Sequence, residues 1–211
     1  MARTSPPAPK RSGARRRPVQ ERSQQTVERI LDAAASLLTD VGLDGFTTNA
    51  IAARSGVSIA GVYGYFDDKY AILLELWERV EALRNDYLTI RFDELADAPD
   101  WRAWARRSID GLVRFRLETP GANELRNVVV SVPDLRARAR EADDARIRRL
   151  ADALRAAAST LPDETARGIA SAIVIANGPV LDRVCEGGVT DEALLTAYRD
   201  MVIAYLATVL D

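Results

Sequence analysis

The chain has no histidine and a single cysteine, Cys185, among its 211 residues. The first absence removes zinc sites built on Cys and His, Ser-His-Asp triads and Cys-His nucleophile pairs. The second rules out an internal disulfide and suits a reducing compartment. No glycine-rich phosphate loop, metal-ligand cluster or nucleophile-base pair takes their place, so neither an enzyme, a metal site nor a cofactor is expected. Long apolar runs are also missing. The nearest, "GIASAIVIANGPVL" at 168–181, is broken by Asn177, Gly178 and Pro179 and falls short of a membrane span. It reads as a buried helix, and the expectation is a cytoplasmic protein with no membrane partner and no secretory leader.

Acidic residues are absent from positions 1–20, which hold six Lys or Arg, most of them in "KRSGARRRP" at 10–18. The rest of the chain carries 23 basic against 31 acidic residues, so a tail of +6 precedes a body of −8. A block of this kind is either plain solvated disorder or an address for a polyanion. Its Pro, Ser and Gly content predicts a flexible arm over 1–20, with Arg15, Arg16 and Arg17 as the cations that nucleic acid would attract.

With 47% apolar residues the body can fill a sizeable core. From Ser23 the residues Val27, Ile30, Leu31, Ala34, Leu37, Leu38 and Val41 recur at helical spacing until Gly42, which predicts a first helix. Thr47 or Thr48 caps a short second helix that Gly56 ends, and Ser58 caps a third, "IAGVYGYF". Asp67 or Asp68 then caps a helix through Ile72, Leu73, Leu76 and Val80. Further helices are expected from Trp101 to about Thr119, from Pro133 to Leu161, from 163 to about 186 with a kink near Gly178, and from 191 to 210. No segment alternates with period two, and the fold class is all-α.

Helix, a turn on Gly56-Val57-Ser58, then a short helix is a helix-turn-helix arrangement. The stretch "RILDAAASLLTDVGLDGFTTNAIAARSGVSIAGVYGYFDDKYAILLELW" at 29–77 resembles the DNA-binding domain of the TetR family of bacterial transcription regulators. The likeness rests on the ordered set Gly42, Phe46-Thr47-Thr48, Ile51-Ala52, Gly56-Val57-Ser58, Val62-Tyr63, Phe66 and Lys69. The resemblance implies an N-terminal helix-turn-helix domain, 21–84, joined to a larger helical ligand-binding and dimerisation domain, 85–211. It also implies a homodimer that binds a palindromic double-stranded DNA operator and answers to an unidentified small molecule, most simply as a repressor. An effector-independent structural DNA-binding protein and an activator stay open as alternatives.

Residue by residue, the resemblance places Thr47, Thr48 and Asn49 at the groove edge. Ser58, Ile59, Ala60, Gly61 and Tyr63 fall on the recognition helix, Tyr65 and Lys69 beside the phosphates, and Val62 and Phe66 in the core. The segment 58–66 contains no Lys or Arg, and residues 21–80 hold five basic against nine acidic residues. Attraction to phosphate is therefore expected from the arm, lying in the adjacent minor groove. Trp104, Phe115, Asn123, Arg126, Asn127 and Asn177 are candidates for the ligand pocket, because they combine apolar walls with a few polar groups. In the last two helices Ile173, Val180, Leu181, Val184, Leu194, Tyr198, Met201, Val202 and Tyr205 are expected at the dimer interface.

Overall fold

A computed structural model describes residues 16–211. Among the described residues there are nine α-helices and one 3-10 turn, and no strand. The helices are α1 (Arg16–Val41), α2 (Thr48–Ser55), α3 (Ile59–Tyr63), α4 (Lys69–Asp93), α5 (Trp101–Glu118), α6 (Ala122–Ser131), α7 (Pro133–Ala157), α8 (Asp163–Val184) and α9 (Glu192–Leu210).

Several boundaries differ from the sequence reading for identifiable reasons. The first helix opens at Arg16, inside the segment expected to be a flexible arm. Pro18 falls in its first turn, where the missing N–H would have had no helical partner anyway. The fourth helix continues well past Val80, to Asp93. Helix α7 stops at Ala157 rather than Leu161, with Ala158 already outside helical backbone at φ −131° and ψ 85°. The sequence reading missed α6 altogether. Its run of valines hides the period, yet Ala122, Leu125, Val128 and Val129 are buried on one face. Helix α8 stays one element through Pro179, with no break at Gly178. Pro179 lies on its exposed side, so the helical bond it cannot make to the carbonyl of Ile175 is lost next to solvent.

Two apolar clusters form the core. One joins α1, α2, α3 and the first half of α4, through Ile30, Leu38, Phe46, Ile51, Val62, Phe66, Leu73 and Leu76. Helix α6 and the start of α7 complete this cluster with Leu125, Val129 and Leu135. The other joins the end of α4 to α5, the rest of α7, α8 and α9, through Leu88, Phe92, Trp104, Leu112, Leu154, Ile169, Leu181 and Leu206. Helix α4, like α7, thus has its two ends in different cores. It is tied to α5 where the Trp104 indole N–H donates to the carbonyl of Arg91 at 2.6 Å.

Helix α9 is long and apolar enough to cross a membrane by length and composition, contrary to the expectation of no such segment. Arg199, in its middle, pairs with Asp110 of α5 at 2.6 Å, and Leu195, Tyr198, Val202, Ile203 and Leu206 face the core.

The α5–α6 corner presses on α1. Gly121 has a φ of +77°, its N–H donates to Thr39 Oγ1 at 3.1 Å, and a Cβ added to it would stand 3.3 Å from Ala35 Cα. A side chain there would be strained in both respects. Gly121→Ala is therefore expected to lose about 1–2 kcal/mol of stability, read as a lower urea midpoint at unchanged slope; an unchanged midpoint would mean that the corner is free to move off α1.

Candidate nucleic-acid interface and buried cavity

Polar caps set the geometry of the segment from α2 to α4. Thr47 Oγ1 accepts from the N–H of Ala50 at 3.1 Å, fixing the start of α2 with Thr48 in its first turn and Asn49 exposed. Gly56 ends α2 in the left-handed region, at φ +66°, and Arg29 donates to the carbonyl of Ser55 at 2.6 Å. Ser58 Oγ then accepts from the N–H of Gly61 at 3.1 Å and starts α3. Asp68 caps α4, accepting from Tyr70 and Ala71 at 2.8 and 2.9 Å.

Helix α3 is shorter than the sequence reading had it, ending at Tyr63 instead of Phe66. Gly61 and Gly64 are poor helix formers, and the chain tightens after Gly64 so that both Tyr65 and Phe66 donate to the carbonyl of Val62 at 3.0 Å. This turn buries Val62 and Phe66 while leaving Ile59 (38%), Tyr63 (55%) and Tyr65 (42%) exposed. Ser58 and Ala60 are also exposed. Gly61 is packed tightly enough that a Cβ would lie 2.9 Å from Val57 Cγ1 and 3.1 Å from the capping Ser58 Oγ. Lys69 opens α4 with its ammonium 5.5 Å from the ring of Tyr70. Tyr70, half exposed, is an aromatic of this surface that the sequence reading passed over. The signal was Asp68: a cap there places residue 70 in the solvent-facing first turn.

The other cations of this segment are already engaged. Arg54 pairs with Asp40 at 2.5 Å and donates to Ser36 at 2.9 Å, and Arg79 reaches Asp32 at 2.7 Å and Glu28 at 3.3 Å. Of the basic residues expected in the arm, Arg15 lies outside the described residues, while Arg16 and Arg17 open α1.

A cavity of about 120 Å³ lies where the two cores meet. Its apolar walls include Trp77, Leu88, Phe92, Trp104, Leu112, Phe115, Ile173, Leu181 and Leu206, and its polar groups are mostly charged: Glu81, Arg84, Arg116, Arg126, Asp143, Arg146 and Asn177. Four of the six residues expected in a pocket line it, namely Trp104, Phe115, Arg126 and Asn177. The other two do not. Asn123 points its amide at the carbonyl of Cys185, 3.5 Å away, and Asn127 is exposed. Sequence reasoning missed Glu81, Arg84, Arg116 and Arg146, because charged residues on helices usually face water.

These charges are ordered into two groups. In the first, Glu81 takes Arg84 at 2.5 Å and Arg146 at 2.8 Å, and Arg146 also takes Asp143 at 2.5 Å. In the second, Arg116 holds Asp182 at 2.5 Å and donates to the carbonyl of Gly178 at 3.2 Å, with Arg126 at 3.6 Å from the same carboxylate. Burial lowers the Arg116 pKa, against the pull of Asp182. Tyr198 donates to Asn177 Oδ1 at 2.8 Å, and burial pushes its phenol up to about 12, so it stays a neutral donor.

The residues expected at a dimer interface divide. Leu181, Val184, Tyr198 and Val202 are in this chain's own core, and Ile173, Val180 and Leu194 are half-buried. Only Met201 (56% exposed) and Tyr205 (45%) face outward as expected. The sequence reading took both apolar stripes of each helix as outer surface, whereas one is consumed by α5 and α7. The outward stripe on α8 is Ala172, Ile175 and Pro179, and on α9 Ala197, Met201, Ala204 and Tyr205.

Comparison with known proteins agrees with this architecture. Residues 30–76 match the family model of bacterial regulatory proteins, tetR family, and residues 100–206 match that of the tetracyclin repressor-like C-terminal domain. A class C tetracycline repressor protein of Escherichia coli is 34% identical over 79 residues, 37% of this chain and 34% of the relative. The chain thus spans about a third of the length of that curated relative. A TetR-family transcriptional regulator from Streptomyces coelicolor superposes with a TM-score of 0.61 at 26% identity, over 88% of this chain and 99% of that one. SmeT, the repressor of the Stenotrophomonas maltophilia multidrug efflux pump SmeDEF, shares the fold at a TM-score of 0.64 and 19% identity, over 87% of this chain and 91% of that one.

Burial alone would raise the pKa of Glu81, but Arg84 and Arg146 outweigh it and hold the carboxyl below the ordinary 4.5. A depressed carboxylate stabilises the fold above its unfolded value and loses that contribution as pH falls through its folded value. Glu81→Gln leaves two guanidiniums without their shared counter-charge, an expected loss of about 3 kcal/mol at neutral pH. The gap between the two proteins in urea denaturation should shrink as pH is lowered from neutral through the depressed folded-state pKa of Glu81, because the natural carboxylate is then protonated too. A gap of equal size above and below that pKa would show that the charge of Glu81 is not what the site uses.

Proposed function

This chain belongs to the TetR family of bacterial regulatory proteins, and from that premise we propose that it is a homodimeric repressor, released from a palindromic operator when a small molecule fills the cavity. The observation that carries this reading is the double membership of α4. Its first half packs in the core that holds α3, its last half packs in the other core, and Glu81 and Arg84 between them wall the cavity. A helix of 25 residues is a stiff rod of about 37 Å, so an occupant that shifts its middle also shifts the end that supports α3. An effector-independent structural protein has no use for such a cavity. Repression is the role named for the tetracycline repressor and SmeT, and it is taken over here as part of the proposal.

In this reading Ser58, Ile59, Ala60, Gly61 and Tyr63 meet base edges and the groove floor. Thr47, Thr48, Asn49, Tyr65 and Lys69 hold phosphates, where phenolic and hydroxyl groups fix register without reading sequence. With no arginine on α3, base reading rests on apolar contact such as Ile59 or Ala60 against thymine methyls. The cations of residues 1–17, with Arg15 before α1 and Arg16 and Arg17 at its start, supply the phosphate attraction that Arg54 and Arg79 cannot give. Selection of bound sequences from random DNA should return a palindrome with half-sites about 34–36 Å apart. A pool without consensus would favour the structural alternative. Against the selected site, removing residues 1–15 should lower the slope of log affinity against log salt by roughly 0.9 for each phosphate that the arm neutralises, with sequence preference kept.

The dimer is proposed to form through the outward stripes of α8 and α9, since only 28% of the apolar length of α9 is buried in one chain. A two-fold contact would set Ile175, Met201 and Tyr205 against their copies. Met201→Glu should then give a folded monomer by light scattering at micromolar concentration, with operator affinity falling alongside. A dimer that survives this change, and Ile175→Asp as well, would place the interface elsewhere.

A further inference from the structure

The cavity carries more positive charge than its own acids answer. Four guanidiniums, of Arg84, Arg116, Arg126 and Arg146, reach it, and three carboxylates, of Glu81, Asp143 and Asp182, are paired with them. Every one of those carboxylates is held at 2.5 Å by Arg84, Arg116 or Arg146. Arg126 is left over: its Nε stands 3.6 Å from Asp182, beyond hydrogen-bonding reach, and is buried with no acceptor. The Nε of Arg84 is buried without an acceptor as well. Buried donors on a charged group are costly when unmet, so they mark a place where something else is accepted.

Resting on the reading of this cavity as the effector site, we propose that its ligand is an organic monoanion of the carboxylate class with an apolar body, the carboxylate seated on Arg126 and the body on Phe92, Trp104, Leu112 and Leu206. One uncompensated guanidinium calls for a single negative charge, which separates this class from phosphate dianions. A cation is opposed by the same surplus. A neutral apolar molecule would fill the walls but leave both donors unmet. Arg84 supports the assignment: besides burial, repulsion from Arg146 and Arg126 brings its guanidinium down to about 10, so an anion in the cavity relieves a repulsion already present. Gly178 fixes where Arg126 lies. A Cβ at this position would stand 2.5 Å from Arg126 Nη2, so glycine is what lets the guanidinium approach α8.

Octanoate, 1-octanol and octylammonium carry the same apolar chain with three different charges. With the full-length protein at neutral pH, calorimetry and the fluorescence of Trp77 and Trp104 should show octanoate binding saturably and at least about tenfold tighter than either analogue, as a charge-assisted bond to a partly buried arginine implies. Arg126→Met keeps the stem and removes the charge, and it should erase that preference. Gly178→Ala, which pushes Arg126 away while leaving its charge, should weaken octanoate about tenfold and 1-octanol little. Equal or tighter binding of 1-octanol or octylammonium, no saturable binding of octanoate, or a preference that survives both variants would overturn the proposal. The selected operator gives a separate readout: selective, Arg126-dependent octanoate binding that leaves the DNA complex intact would support the anion site and overturn the effector reading alone.

Discussion

The carboxylate of Glu81, held between Arg84 and Arg146, is the constraint on which the rest of this structure depends. It sits at the middle of α4, one of two helices shared by both cores, and its partner Arg146 comes from the other, α7, 65 positions along the chain. Charges taken out of water are tolerated only when paired, so the three side chains fix α4 against α7 in one register. Apolar contacts alone would allow the helices to slide, since any ridge fits several grooves. The ion cluster therefore sets where the cavity lies, which residues wall it, and at what angle the end of α4 supports α3.

Charge is divided in space along this chain. The segment around α3 is acidic in sum, and two of its arginines are held by α1 through Asp32 and Asp40, so its surface contributes shape, hydroxyls and aromatic edges rather than cations. Positive charge instead lies in two places: residues 1–20, which hold six Lys or Arg and no acid, and the cavity, where four guanidiniums meet three carboxylates. The second surplus is the more telling, because a buried donor without an acceptor costs stability and a solvated one does not. In the proposed reading a ligand completes this cavity.

The fate of α8 and α9 shows how one apolar helix serves two surfaces. Both helices are apolar nearly all round, which ordinarily marks a helix buried on every side. Within one chain a single stripe of each is covered, and Tyr198, with its bond to Asn177, belongs to that inner stripe. What remains outside is narrow, with Ala and Pro beside Ile175, Met201 and Tyr205, a composition that permits close approach of a second pair of helices. The exposed position of Pro179 fits the same arrangement, since its unmade helical bond faces outward.

The sequence by itself determined the all-α class, the cap at Ser58, the turn at Gly56, and the burial of Val62 and Phe66 beneath exposed Tyr63, and it narrowed the other two caps to Thr47 or Thr48 and Asp67 or Asp68, of which the structure uses Thr47 and Asp68. These are local matters, decided by spacing and by side chains that bond their own backbone within three residues. Helix α6 and the length of α4 were not decided locally: Val128 and Val129 of α6 are buried in the core that α1 and α4 share, and α4 continues past Val80 because Leu88 and Phe92 find a second core with α5, α7, α8 and α9. The division of α8 and α9 into inner and outer stripes was likewise a tertiary outcome, since two apolar stripes on one helix look alike until a neighbour takes one. The same holds for the cavity. Arg84, Arg116 and Arg146 stood out in no sequence pattern, and only the packing of the six helices α4 to α9, which sets four guanidiniums against three carboxylates, gathered them around one cavity.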